Sequence, residues 1–172
     1  MVITQNMVLF FSGADYLSNF YIRNFFHQDG LFFCGEQAFM YRKALYFGDS
    51  TVATAILNIS PSDKNPPLRA KKLGRSVKPF DADKWAKVAP GIMLEISNDF
   101  FMQNDDLAEL LLKTGDRIIA EASPYDKIWG IGFDETDERS QQPTLWTGKN
   151  LLGRVRMETR NYLKAHDKQM KV

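Results

Sequence analysis

The sequence predicts a single, mostly helical α+β domain with a small β-sheet, and three observations carry that prediction. The chain has 172 residues, a length at which one core of ordinary density is built. Apolar residues make up 44% and charged residues 25%, globular proportions that exclude wholesale disorder. Capped segments of helical period fill most of the chain from residue 36 onward, whereas runs with strand character are few and short. No repeat, low-complexity tract or linker divides the sequence, so the domain is expected to span 1–172.

Taken in order, residues 7–11 read as a short apolar strand closed by Ser12-Gly13. Aromatic-rich runs at 23–27 and 31–34 flank Gln28-Asp29-Gly30, a hairpin signal in which Asp-Gly is expected to supply the positive dihedrals. Residues 36–47 form a helix, with Gly35 before it and Gly48 at its left-handed end. A second helix covers 50–58 and stops before Pro61, and a short basic helix covers 66–73 with its prolines at the start. Residues 82–104 are helical in period but contain Pro90-Gly91, which predicts two helices or a kink. Asp105-Asp106 opens a helix through 112, ended by Gly115. Strands are expected at 117–122 and, broken by glycines, at 128–133; 135–147 reads as a polar loop. Asn150 caps a final amphipathic helix to about 165, with Leu152, Val155, Tyr162 and Leu163 on one face and a frayed tail at 167–172.

Composition excludes several functions. With 22 basic and 21 acidic side chains the net charge is +1, too balanced for a protein that wraps duplex DNA by neutralising phosphates. No apolar run approaches the roughly 18–20 residues of a membrane span, and the first residues lack the basic start and cleavage site of a signal peptide. The one cysteine, Cys34, forms no internal disulfide, and two histidines with one thiol make a poor zinc site. These exclusions predict a soluble, reduced, cytoplasmic protein, with no obligate protein partner evident. Aromatic residues at 13% point to a Phe-heavy core or an aromatic ligand pocket.

Four segments carry candidate chemistry. On the helix from Glu36, Lys43 lies seven positions on, about 20° round the axis and roughly 10 Å along it. Both project from the stripe that holds Met40 and Phe47, with Phe39 and Tyr46 beside it. Such a setting suits acid–base or Schiff-base chemistry; the structural alternative is two charges snorkelling from an apolar stripe. In the second segment a proline-stiffened turn carries Asp126, and Trp129-Gly130-Ile131-Gly132 comes after it. There an indole beside side-chain-free backbone makes a platform for a planar heterocycle, or else Asp126 caps local amides and Trp129 is core. The third is Lys149-Asn150 through Arg154, first a helix cap and second a phosphate site. The fourth, Arg69 to Arg75, sets four cations in seven positions, a solvated face or a phosphate receiver. Neither His27 nor His166 has an evident partner, and Cys34 is expected to be packed rather than nucleophilic.

In this order, the segments resemble the NADAR family, also called YbiA-like. The resemblance runs from about residue 10 to 163 and rests on Leu17-Ser18-Asn19-Phe20, Glu36 through Lys43-Ala44, Ala70 to Arg75, and Leu111 to Asp116. It is completed by Glu121-Ala122-Ser123 with Asp126 and Ile128 to Gly132, and by Trp146, Gly148, Asn150 and Leu152-Gly153. Gln37 stands where the family usually has histidine. The family includes N-glycosidases of riboflavin-biosynthesis intermediates and hydrolases of ADP-ribose on guanine. The resemblance therefore implies hydrolysis of a ribose C1′–N bond in a phosphorylated, nucleotide-like substrate, with no cofactor. It implies catalytic roles for Glu36, Lys43 and Asp126, by acid–base or by Schiff-base chemistry. Substrate contacts are implied for Asn19, Phe20, Arg69, Arg75, Trp85, Trp129, Gly130 and Asn150. The absence of a fused riboflavin-pathway domain favours ADP-ribosylated nucleic acid as the partner, and a non-catalytic sensor of ADP-ribose or a related nucleotide is the alternative.

Overall fold

The computed structural model describes residues 1–170, with six α-helices and five short strands among them. The chain forms two compact units, one contiguous over Asn19–Gln103 and one made from both ends, Met1–Ser18 and the residues from Asn104 on.

The contiguous unit opens with a hairpin, β3 (Phe25–His27) and β4 (Gly30–Phe32), paired Phe25 to Phe32 and His27 to Gly30. Alternation sorts its faces: Phe25, His27 and Phe32 are buried, Phe26 and Leu31 exposed. The positive dihedral of the turn falls on Gln28 (φ 51°), while Gly30 already lies in β4, so the expected Asp-Gly turn is shifted back by one residue. Helix α1 (Gly35–Tyr46) comes next, its N-cap supplied by Cys34, whose Sγ accepts from the Gln37 amide at 3.4 Å. Burial pushes the Cys34 thiol up to about 12, which keeps it packed and inert. Gly48, at φ 76°, turns the chain out of α1 into α2 (Ser50–Leu57). Helix α3 (Pro66–Arg75) starts on two prolines, where missing donors matter least, and α4 (Ala82–Met102) completes the unit.

Of the two expectations at Pro90, two helices or a kink, α4 corrects the first: it runs through 21 residues as one helix. An interior proline costs about 3 kcal/mol, and here a continuous buried face from Ala89 through Ile92, Met93, Ile96, Phe100 and Phe101 outweighs it. Phe100 meets Phe25 edge-on at 5.3 Å, and the Gln103 side chain bonds both backbone groups of Phe26 at 2.7 Å. Two further polar ties cross the unit. Gln37 is buried, its Oε1 accepting from the Phe33 amide at 3.0 Å and its Nε2 donating to the Ile56 carbonyl at 3.0 Å. His27, expected to stand alone, bonds Asp99 through Nδ1 at 2.6 Å and Arg42 through Nε2 at 2.6 Å, and Arg42 also reaches Glu95 at 2.9 Å.

The other unit holds a three-stranded sheet in the order β1-β2-β5. Strand β1 (Val2–Ile3) is antiparallel to β2 (Met7–Phe10), and β2 is parallel to β5 (Ile118–Glu121). All four residues of β2 are buried, the mark of a strand covered on both faces. Between them in sequence lies α5 (Asp105–Lys113), and α6 (Leu151–Met170) packs against both α5 and β5. Leu152, Val155 and Leu163 are buried as the amphipathic pattern requires, but Tyr162 faces outward, its ring against His166 at 3.9 Å; the His166 Nδ1 lies 2.9 Å from the Tyr162 carbonyl. The helix continues past the expected end to Met170, while residues 171–172 of the anticipated frayed tail lie outside the described residues. Two arginines fasten α6: Arg156 donates to the Leu17 carbonyl at 2.9 Å, and Arg160 to Thr114 and to the Arg117 carbonyl at 2.8 and 2.9 Å.

Residues 128–133 form no strand. Their backbone groups bond across loops instead, Ile131 to Glu121, Gly148 to Ile131 and Asn150 to Gly130. Residues 135–147 contain two 3-10 turns, Glu138–Gln141 and Pro143–Leu145. Among the described residues no helix is long and apolar enough to cross a membrane.

Gly153 lies where α6 crosses β5, and a Cβ there would overlap the Ile119 carbonyl oxygen. Gly153→Ala is expected to lower the free energy of unfolding by about 1–3 kcal/mol, read from denaturant midpoints. Gln37→Leu strands two buried backbone groups, and each costs about 1–3 kcal/mol; the same measurement should show a loss at least as large.

Candidate active site

Glu36 occupies the first turn of α1, where the helix dipole favours a carboxylate. It is only 8% exposed, and Asn19, at 7%, holds it in two ways. The Asn19 side-chain amide donates to Glu36 Oε2 at 3.1 Å, and the Asn19 carbonyl accepts from the Glu36 backbone amide at 2.9 Å. This clasp requires glycine at 35, since a Cβ there would overlap Asn19 Oδ1. Gln37, next along, turns into the core as described, so the position where histidine is usual has a structural role here.

Two turns along α1, Lys43 is half-buried with its ammonium 4.3 Å from the centroid of the Phe80 ring. Burial lowers its pKa from the ordinary value; the Glu36 carboxylate opposes that shift and the Arg75 guanidinium adds to it. The expected carboxylate and amine on one helical face are thus present and electrostatically linked. Trp85, from α4, packs on Phe39 at 5.2 Å and on Tyr46 and Phe47 at 6.1 and 6.2 Å, which places it in the same aromatic group as the Lys43 surroundings. Phe47 in turn meets Phe80 at 5.2 Å. Phe20 carries the Lys71 ammonium 5.7 Å from its centroid. The unit therefore assembles Asn19, Glu36, Lys43, Arg75 and Trp85 around α1. Arg69 does not join them: it is exposed on α3 and paired with Asp63. Phe80 escaped the sequence reading because it sits in an irregular segment after Pro79, where no periodicity marks a ring as facing an amine.

Asp126, Trp129, Gly130 and Asn150 belong to the other unit. Asp126 Oδ1 accepts from the Ile128 and Trp129 amides, both at 2.8 Å, the local capping that a turn aspartate provides. Trp129 is half-buried beside it. At Gly130 a Cβ would lie 2.8 Å from the Asp126 carbonyl oxygen and 3.0 Å from that of Glu121, so the close approach that glycine permits is to the protein's own backbone. Asn150 holds the N-cap position of α6, its carbonyl accepting from the Arg154 amide at 3.0 Å, but its side chain does not cap the helix. It sits at φ 53° and turns its buried amide onto β5, Oδ1 accepting from Glu121 at 3.1 Å and Nδ2 donating to the Ile119 carbonyl at 3.0 Å. Among the described residues no three His, Cys, Asp or Glu side chains cluster as a metal site would require.

The model of the NADAR domain matches residues 9–164. Protein irg-1 of Caenorhabditis elegans is 35% identical over 93% of this chain and 81% of its own length. A protein of Acanthamoeba polyphaga mimivirus named as an N-glycosidase is 42% identical over 73% of this chain and 71% of its own. The NMR structure of the E. coli protein YbiA matches with a TM-score of 0.75 at 24% identity, covering 96% of this chain and 89% of that one, a likeness of fold. The chain belongs to the NADAR domain family.

Proposed function

We propose that this chain is an N-glycosidase that hydrolyses the bond between ribose C1′ and a nitrogen of a phosphorylated, nucleotide-like substrate. The observation that carries the reading is Lys43, an amine held partly out of water, below its ordinary pKa and in electrostatic contact with a buried carboxylate on the same helix face. Desolvation shifts the amine toward the neutral, nucleophilic form relative to an exposed lysine. The mimivirus relative named as an N-glycosidase supports the same class of reaction.

The furanose opens as its C1′–O4′ bond breaks and O4′ takes a proton from water. Neutral Lys43 Nζ adds to C1′ and gives up a proton to the Glu36 carboxylate, which passes it to the base nitrogen as the C1′–N bond breaks. Water then hydrolyses the resulting Schiff base to free sugar and amine. Asn19 positions Glu36 for proton transfer, and Arg75 meets a phosphate. Asp126 and Trp129 take no assigned step. Two substrates fit this chemistry, a ribosylated aminopyrimidine phosphate and ADP-ribose on guanine within nucleic acid.

Mass spectrometry of free-sugar release from both substrates tests the reading. Wild type is expected to release sugar from one of them, and Glu36→Gln to lose about 10²–10⁴-fold in rate, the contribution of a positioned acid or base. Cyanoborohydride is expected to trap the sugar on the peptide containing Lys43. Full turnover by Lys43→Ala with no adduct would sink the nucleophile, and nucleotide binding without release from any substrate would leave a sensor. Lys43→Met separates chemistry from folding. A depressed folded-state pKa means the unfolded chain binds the proton more readily. This group's contribution to stability therefore rises with pH between the folded value and 10.5, and at neutral pH the ammonium opposes folding. Lys43→Met should stay folded and inactive.

Because the amine must be neutral, kcat/KM is expected to rise with pH and level off below 10.5. Arg75→Gln removes one cause of the lowered value, and its pH profile should move to higher pH.

A further inference from the structure

Phe80 belongs to two features at once. Its ring carries the Lys43 ammonium, and it forms a wall of an open cleft of about 630 Å³ lined by Tyr46, Phe47, Pro79, Phe80, Asp81 and Lys84. The other walls are rings as well. Tyr46 stands edge-on to Phe47 at 4.9 Å, and Phe47 stands at 69° to Phe80 at 5.2 Å. Tyr46 and Phe80 are 45% and 48% exposed, so aromatic surface that would ordinarily be covered faces water beside a partly desolvated amine. The volume falls in the range of small-molecule sites. One side is polar, lined by Asp81 and Lys84, and Asp81 also caps α4 through Oδ1, accepting from the Lys84 amide at 3.0 Å.

We infer that this cleft holds the base of the substrate, a planar amino- and oxo-substituted heterocycle stacked against Tyr46 and Phe80 while its sugar carbon lies at Lys43. The assignment rests on Lys43 being the nucleophile. A flat heterocycle offers a π-face for offset stacking on the tyrosine and phenylalanine rings, and Lys84 in the lining suits carbonyl oxygens on the ring. A base leaving C1′ would be received by ring surface that already touches the attacking amine, which makes Tyr46 and Phe80 specificity-determining contacts.

The test compares wild type with Tyr46→Ala and Phe80→Leu. Ligand-observed NMR measures affinity for the free bases, guanine and a diaminopyrimidinone, and steady-state kinetics measures KM and kcat. Tyr46→Ala should weaken binding of one base and raise KM by roughly 5- to 150-fold, the range of one base stacked on one ring. Its cyanoborohydride adduct at Lys43 should persist, because Tyr46 is not part of the amine's contacts. Phe80→Leu should weaken base binding too and supplies the answer should Tyr46→Ala fail to fold. Base affinity and KM unchanged in both variants, or no binding of either base by wild type, would overturn the cleft assignment while leaving the glycosidase reading intact. If no substrate turns over, the glycosidase reading fails separately, and base affinity in wild type against Tyr46→Ala still decides what the cleft holds.

Discussion

A carboxylate and an amine on the apolar face of one helix must each be kept partly out of water without being stranded there, and the unit over residues 19–103 is arranged around that demand. The two groups are met differently. Glu36 is clasped by an asparagine from the preceding loop, and the clasp closes only because residue 35 has no side chain. Lys43 receives a ring face instead of a carboxylate, so it is neither neutralised by an ion pair nor fully hydrated. A direct salt bridge between them would satisfy both charges and remove the nucleophile. The seven-residue spacing prevents an easy one while leaving an electrostatic pull between the two.

Two other polar residues of α1, Gln37 and Arg42, serve the fold. Gln37 ties the end of the hairpin to α2, and Arg42 joins the hairpin and α4 through His27 and Glu95. Neighbouring positions on one helix thus divide between chemistry and architecture by the direction each points. The other unit also places buried polar groups in architectural roles. Arg156 is so completely enclosed that burial lowers its pKa to about 10, with the Glu121 charge opposing the shift. Its bond to the Leu17 carbonyl holds α6 to the segment after β2.

How far the sequence can be read depends on the range of the interaction concerned. Helix ends set by local caps, prolines and glycines are legible, as are the hairpin and the shared face of Glu36 and Lys43, because period and spacing carry that information. Features that depend on distant partners are not. Asn150 looks like a cap since nothing nearby reveals that its amide bonds a strand some thirty positions earlier. His27 looks solitary since Asp99 is 72 positions away. Pro90 predicts two helices or a kink, and the packing of a long buried face keeps the segment one helix. The glycines at 130 and 132 suggest room for a ligand, whereas the space beside Gly130 is filled by neighbouring backbone.

The parallel pairing of β2 with β5 joins residues more than a hundred positions apart, and the order of synthesis gives that separation a consequence. The unit over 19–103 is one unbroken stretch, so its helices and hairpin can be complete while the ribosome is still making the later residues. Strands β1 and β2 meanwhile have only each other, and the buried residues of β2 must wait for β5 to pair with them. A nascent chain therefore carries a finished Glu36–Lys43 helix alongside an unprotected apolar strand. Any holding by chaperones during translation would be needed at the first eighteen residues and not at the helix that bears the chemistry.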